Sequence, residues 1–343
     1  LKILIIRFSS IGDIVLTSPV LRCLKQQLNA EVHYLSKQAF RQILEPNPYI
    51  DKVYTIEKRV GEVMPQLRRE NYDVLIDLHK NLRSLQVKAG LWRVKSYAFD
   101  KLNLQKWLMV NFKINRLPDR HIVDRYLGAA EPLGIVNDGQ GLDYFTPPEE
   151  EVDIDRFFRE NLPSHFRAEE KKSDSSDYIA FAIGAAHATK RLPREKLIAL
   201  CGAIPLPVVL LGGPADAEEG EAVADAAGRH VINACGRLSL HQSASLVRQA
   251  RQVITHDTGL MHIAAAFRKD IVSVWGNTIP EFGMYPYYPQ GLHRNQTVEV
   301  QGLPCRPCSK IGYQQCPKEH FRCMRDIPEA SVLQALKIEN FHS

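Results

Sequence analysis

Two short segments hold the residues whose types and spacing could do chemistry: Arg7-Phe8-Ser9-Ser10-Ile11-Gly12-Asp13 and His256-Asp257-Thr258-Gly259-Leu260-Met261-His262. Each follows an apolar, β-like run and precedes a helix-like pattern. Each therefore falls where a strand ends and a helix N-terminus opens, the position at which open α/β sheets build ligand sites. Asp13 follows a turn of small residues, Ser10 and Gly12 among them, that lets a substrate approach the backbone. A carboxylate there can accept the proton of an attacking hydroxyl. It can equally serve as a first-turn helix acid, which stabilises by roughly 0.5 to 2 kcal/mol. In the second segment the free N–H groups of Thr258 and Gly259 and the helix dipole suit a pyrophosphate, with Asp257 and Leu260 beside them. His262 sits one turn further on the same face, as a ligand contact or as a packing residue.

Two further strand ends carry small residues next to charge. In Gly184-Ala-Ala-His-Ala-Thr189-Lys190-Arg-Leu-Pro193 the residue pattern alone leaves Lys190 open between a site cation and a surface lysine, with Thr189 as a nearby hydroxyl. In Val208-Val-Leu-Leu-Gly212-Gly213-Pro214 the paired glycines let a ribose lie against backbone, and Asp216, Glu218 or Glu219 could hold its hydroxyls. Gly236-Arg237-Leu238-Ser239-Leu240 is a second candidate for the base pocket. The fingerprint G-x-G-x-x-G is missing, which argues against a nicotinamide enzyme.

The cysteines form two populations. Cys23, Cys201 and Cys235 are isolated among apolar or small residues and read as inert packing thiols. Cys305, Cys308, Cys316 and Cys323 make C-x2-C-x7-C-x6-C, interrupted by Pro304, Pro307 and Pro317. Four thiols so close favour a tetrahedral metal over disulfides in a cytosolic protein, and four sulfurs leave no open position for substrate. The candidate ion is a structural Zn or Fe, with reduced thiols or disulfides as the alternative. From Lys80 to Arg116 nine cations, Lys80 and Arg83 among them, accompany a single acid, Asp100, with Trp92, Trp107 and Phe112 interleaved. Such a surface suits an anionic amphiphile, single-stranded nucleic acid, or simply solvent.

The elements that must position these residues alternate regularly. Strands are expected at 1–6, 31–35, 53–56 and 74–78, with helices at 14–28, 38–44 and 60–70 and a kink at Pro19. After the polar stretch 168–177 the alternation restarts, with strands at 178–183, 207–211, 231–233, 253–255 and 271–275 and helices between them. Strands alternating with helices imply parallel sheets covered on both faces. A chain of 343 residues is about right for two domains of roughly 150 residues. We expect a Rossmann-like domain over 1–167, a linker or loop at 168–177, a second Rossmann-like domain over 178–327 with the cysteine-rich segment 304–324, and a C-terminal helix in 328–343. No apolar run approaches the roughly 18 to 20 residues that span a bilayer, so the expected location is the cytoplasm.

The order of four motifs resembles glycosyltransferase family 9, the ADP-heptose:lipopolysaccharide heptosyltransferases. They are the opening Ser10-Ile-Gly-Asp-Ile-Val-Leu-Thr-Ser-Pro19, the segment 184–193, the strand end 208–214, and 257–262 followed by Trp275-Gly276-Asn277-Thr278. The resemblance implies the α/β GT-B architecture, two facing Rossmann-like domains, and an inverting transferase whose catalysis needs no divalent metal. It implies Asp13 as general base and Lys190 as the cation that stabilises the departing nucleoside diphosphate. Thr189, Gly212, Gly213, Leu238, Asp257, Thr258, Gly259, Leu260 and His262 would bind the donor; Ser10, Gly12, Lys80 and Arg83 would bind the acceptor. The partners it implies are ADP-heptose, an anionic lipopolysaccharide core and the inner membrane surface, not nucleic acid. The competing readings are a metal-stapled nucleic-acid-binding protein and a sugar-nucleotide epimerase of GT-B fold.

Overall fold

The computed structural model describes residues 1–162 and 177–338, so the expected linker lies outside the described residues except for Asp177, as do residues 339–343. The chain forms two compact units.

The first unit takes Leu1–Asn103, Pro118–Phe145 and Tyr287–Leu292. Its sheet contains β1 (Lys2–Ile6), β2 (Glu31–Lys37), β3 (Lys52–Ile56), β4 (Val74–Asp77) and β5 (Lys95–Ala98) in the order β3-β2-β1-β4-β5. All pairs are parallel, with Ile6 opposite both Leu35 and Asp77. Ile3 to Ile6 are fully buried, as the unbroken apolar run of a central parallel strand requires. The helix expected at 14–28 with a kink is instead two helices, Ile11–Val15 and Ser18–Leu28. Pro19 falls in the first turn of the second, where its missing N–H leaves no bond unmade.

The second unit takes Leu104–Leu117, Thr146–Pro286 and the residues from His293 on. Its strands are β6 (Ile179–Ala182), β7 (Val208–Leu211), β8 (Val231–Asn233), β9 (Gln252–His256), β10 (Asp270–Trp275) and β11 (Asn295–Glu299), ordered β11-β10-β9-β6-β7-β8 and again all parallel. Leu210, Ile254, Val272 and Val274 pack with Leu197, Leu200 and Met324 in its core. The last helix, Glu329–Ala335, packs on helix Arg194–Ala203, and Lys196 Nζ meets Glu329 Oε1 at 2.8 Å.

Three features depart from the sequence expectation. The units are not divided at one point near residue 168. Segment 146–161 belongs to the second unit because Glu150 accepts from Ser239 Oγ at 2.7 Å, while Glu151 accepts from Ser245 Oγ and pairs with Arg248, each at 2.6 Å. Residues 104–117 join the same unit, where Lys113 Nζ donates to Pro307 O at 2.6 Å. The basic, aromatic stretch 80–116 is thereby split between the units and is not one surface of the first. The edge strands β5 and β11 also escape the sequence pattern, since each carries mostly polar residues that are at least partly open to water.

Candidate functional site

In each sheet the first strand has neighbours whose connections run in opposite directions, β2 and β4 around β1, and β7 and β9 around β6. Loops at the carboxyl ends of such strands diverge and leave a crevice for ligand. The two singled-out segments leave from these places.

In the first unit, Asp13 lies in the first turn of helix Ile11–Val15. Its Oδ1 pairs with Arg7 Nη2 at 2.6 Å, and its Oδ2 accepts from Ser10 N at 3.1 Å and Ser10 Oγ at 2.7 Å. The carboxylate is thus both a helix cap and half of an ion pair, and it remains 18% exposed. Arg7 is held in turn by Ser9 O at 2.7 Å and Leu78 O at 2.5 Å. The β4 loop brings His79 edge-on to Phe8, at 5.4 Å between ring centroids. Burial, with Arg7 and Lys101 nearby, pulls the His79 imidazole down to about 4, so it is neutral. Lys80 is exposed and adopts φ 53°; Asp77 Oδ1 accepts its backbone N–H at 2.7 Å. Arg83 lies exposed in the first turn of helix Leu82–Gly90. Gly12 is buried, whereas Ser10 is exposed.

In the second unit, the loops after β6 and β9 join Lys190 to Asp257. Lys190 Nζ meets Asp257 Oδ2 at 2.5 Å, and Thr278 Oγ1, from the loop after β10, donates to the same oxygen at 2.9 Å. Both side chains of the ion pair keep some solvent access, 14% and 12%. Thr258 is the N-cap residue of helix Gly259–Ala266, so its own N–H and those of Gly259 and Leu260 stand at the opening turn next to Lys190 and Asp257. This arrangement offers an ammonium and helix amides to one anion.

Other expected donor contacts turn out to be engaged in the fold. Thr189 is 2% exposed and exchanges hydrogen bonds with the Tyr313 backbone: its hydroxyl donates to Tyr313 O at 3.0 Å and accepts from Tyr313 N at 2.8 Å. His262 is equally buried, in the packing position a lone helical histidine usually takes. Among the three acids, Asp216 pairs with Arg191 at 2.7 Å and accepts from Gly213 N at 2.8 Å, and Glu219 pairs with Arg194; Glu218 is exposed. Gly212 is required by Asp216 itself, because a Cβ there would stand 2.8 Å from the Asp216 Cβ. Leu238 and Leu260 are half-buried. His256 closes β9 fully buried, with Nε2 accepting from Leu192 N at 3.1 Å; burial, then Arg191, pulls it down to about 3.

Cys305, Cys308, Cys316 and Cys323 are free thiols. Burial pushes Cys323 up to about 12, and the neighbouring cysteines push the same way. A thiophilic cation would satisfy this donor set by stabilising the thiolates. No three of the sulfurs, however, lie within 4.8 Å of one another; among the described residues only Glu31, His33 and Glu70 bring three ligand atoms that close. The two carboxylates of that group are already served by ammonium groups, Lys2 on Glu31 and Glu70 and Lys52 on Glu70, and the His33 ring is engaged by Tyr72 and Glu31.

The sequence pattern gave no role to His79, nor to Arg7, Arg191 and Thr278, although these three stand inside its motifs. Arg7, His79 and Thr278 carry polar side chains one to three residues past the carboxyl end of a strand, the signal that could have found them, whereas Arg191 follows the end of β6 by nine residues.

The profile of glycosyltransferase family 9 (heptosyltransferase) matches residues 60–318. The chain belongs to glycosyltransferase family 9. Lipopolysaccharide heptosyltransferase 1 of Campylobacter coli is 26% identical to this glycosyltransferase over 301 residues, 81% of this chain and 84% of that protein. The enzyme of the same name from Pseudomonas aeruginosa is 25% identical over 359 residues, 97% and 93%. Among solved structures, a family 9 glycosyltransferase from Veillonella parvula superposes with a TM-score of 0.74 at 22% identity, covering 97% of this chain and 95% of that one. An E. coli heptosyltransferase solved with ADP gives 0.65 at 20%, covering 97% and 98%. Two Rossmann-like units with parallel sheets are thus the family's fold, and this glycosyltransferase has it. No helix among the described residues is long and apolar enough to cross a membrane.

Proposed function

We propose that this glycosyltransferase moves a heptose from ADP-heptose to an anionic lipopolysaccharide core sugar, with inversion at the anomeric carbon. The observation that carries the reading is the meeting of Lys190 and Asp257 at 2.5 Å beside the opening of helix Gly259–Ala266. A diphosphate leaving group gains negative charge as its bond to the sugar breaks, and a fixed ammonium with helix amides offsets that charge. Asp257 Oδ2 holds Lys190 and Thr278, which leaves Oδ1 to accept from a sugar hydroxyl.

In the single displacement, the acceptor oxygen bonds to the anomeric carbon while the bond to the phosphate oxygen breaks. ADP departs with the electron pair, and Asp13 takes the hydroxyl proton. Arg7 pairs with Oδ1 and so holds the Asp13 carboxylate in place. Lysine and helix amides do the work a divalent ion would otherwise do, so turnover at saturating donor should survive EDTA. The four-cysteine segment is assigned a structural Zn or Fe, which requires its thiols to draw inward on binding. Contact with the membrane surface falls to the exposed Trp92 in the first unit and to Trp107 and Phe112 in the second.

Calorimetric titration with ADP, UDP and GDP, followed by donor turnover on truncated lipopolysaccharide, tests the reading. ADP should bind tightest, and Lys190→Met should weaken it by about tenfold or more. Equal affinity for the three nucleotides, or no effect of Lys190→Met, would overturn it.

A further inference from the structure

The cysteine-rich segment does more in this fold than carry thiols. Arg306, between Cys305 and Pro307, is only 7% exposed at its side chain. Its Nε donates to Gly276 O at 2.5 Å, Nη2 to Thr278 O at 3.0 Å and Nη1 to Val300 O at 3.2 Å, and the guanidinium pairs with Glu299. One planar group therefore ties the loop after β10 to the end of β11. That loop runs hard against the one carrying Lys190, since a Cβ on Gly276 would stand 2.8 Å from Thr189 O. Tyr313, from the same cysteine-rich segment, holds Thr189 from the other side.

We infer that Arg306 is a positioning residue for the donor site: it fixes the Thr278 backbone so that the Thr278 hydroxyl orients Asp257, which in turn holds Lys190 where the diphosphate must lie. The inference rests on the proposed role of Lys190 in donor binding. A chain of short bonds leads from the guanidinium to the ammonium: Arg306 to Thr278 O, Thr278 Oγ1 to Asp257 Oδ2, and Asp257 Oδ2 to Lys190 Nζ. Arginine suits the task because its rigid fork serves several carbonyls at once, whereas a lysine delivers one point charge on a flexible stem. Arg306→Lys thus keeps the charge opposite Glu299 but gives up the fork.

The test is a double-mutant cycle on ADP affinity in the full chain, with Arg306→Lys, Thr278→Val and their combination, alongside Lys190→Met. Arg306→Lys is expected to fold, to weaken ADP by about tenfold and to raise the donor KM with the acceptor KM unchanged. The double variant should lose little beyond the larger single loss, because coupled residues fail additivity and independent ones do not. Wild-type ADP affinity in Arg306→Lys, or strictly additive losses, would overturn the inference; if Lys190→Met is impaired at the same time, the proposed function still stands. If Lys190→Met also binds ADP normally, both fall together. Should Arg306→Lys not fold, Glu299→Gln, which loosens the guanidinium and leaves its backbone bonds, takes its place in the cycle with the same outcomes.

Discussion

Asp13 carries two physical duties at once, because one carboxylate both accepts from the Ser10 N–H that opens the helix and pairs with the buried Arg7. Asp13→Asn keeps a side chain of the same shape but cannot take a proton. We expect ADP affinity to persist and turnover to fall by about 10²- to 10⁴-fold; near-normal turnover would remove Asp13 from the role. His256 makes a prediction about pH. Its folded-state value, about 3, lies below the ordinary imidazole value, so between about 6.5 and 3 the unfolded chain binds a proton that the folded chain refuses. Stability from this group is therefore complete above about 6.5 and declines as pH falls through that window. Denaturant titrations from pH 7 to 4 should show the decline, with a shallower slope in His256→Asn; an unchanged slope would mean that other groups govern acid sensitivity.

At the scale of elements, function gathers at the ends of strands flanking a reversal in strand order. Glycine pairs and acids after β7 look like ribose ligands in sequence, yet Asp216 spends its oxygens on Arg191 and Gly213 N. Asp216→Ala should therefore lower stability by about 1 kcal/mol in urea unfolding, through loss of a partly exposed ion pair and of the bond from Gly213 N. If it abolished ADP binding without destabilising the fold, the residue would be a ligand contact after all. The cysteine-rich element adds a second test. Protein purified without chelator should contain about one Zn or Fe per chain, and stripping the ion should raise the donor KM, since Arg306 sits between two of the thiols. A metal content near zero rejects the ion.

For the whole molecule, the proposed donor residues Lys190, Asp257 and Thr278 all belong to the second unit, so a nucleotide should act there. ADP at about 100 times its Kd should stabilise its unit by about 2.7 kcal/mol. Hydrogen exchange should show protection at 184–190 and 256–260, with residues 7–13 unchanged. Protection confined to 7–13 would place the nucleotide in the wrong unit. Exposed Trp107 and Phe112, stacked edge-on at 5.2 Å among cations, should support salt-sensitive binding to vesicles containing anionic lipid. Trp107→Ala with Phe112→Ala should reduce co-sedimentation several-fold; full retention would dismiss this surface.

By itself the sequence determined the parallel-sheet class, the central strands and the two strand-to-helix junctions, because buried apolar runs and small residues before a helix are local patterns. It also placed Asp13, Lys190 and Asp257 at strand ends. It could not show that β5 and β11 are strands, since a polar edge strand is defined by its neighbour's hydrogen bonds, nor that 104–117 and 146–161 join the second unit through contacts distant in sequence. Only tertiary structure decided that Lys190, Asp257 and Thr278 converge, that Thr189 and Asp216 are occupied within the fold, and that Arg306 reaches Gly276 and Thr278. Convergence of loops from β6, β9 and β10 depends on strand order, and strand order is set by long-range pairing that no window of residues contains.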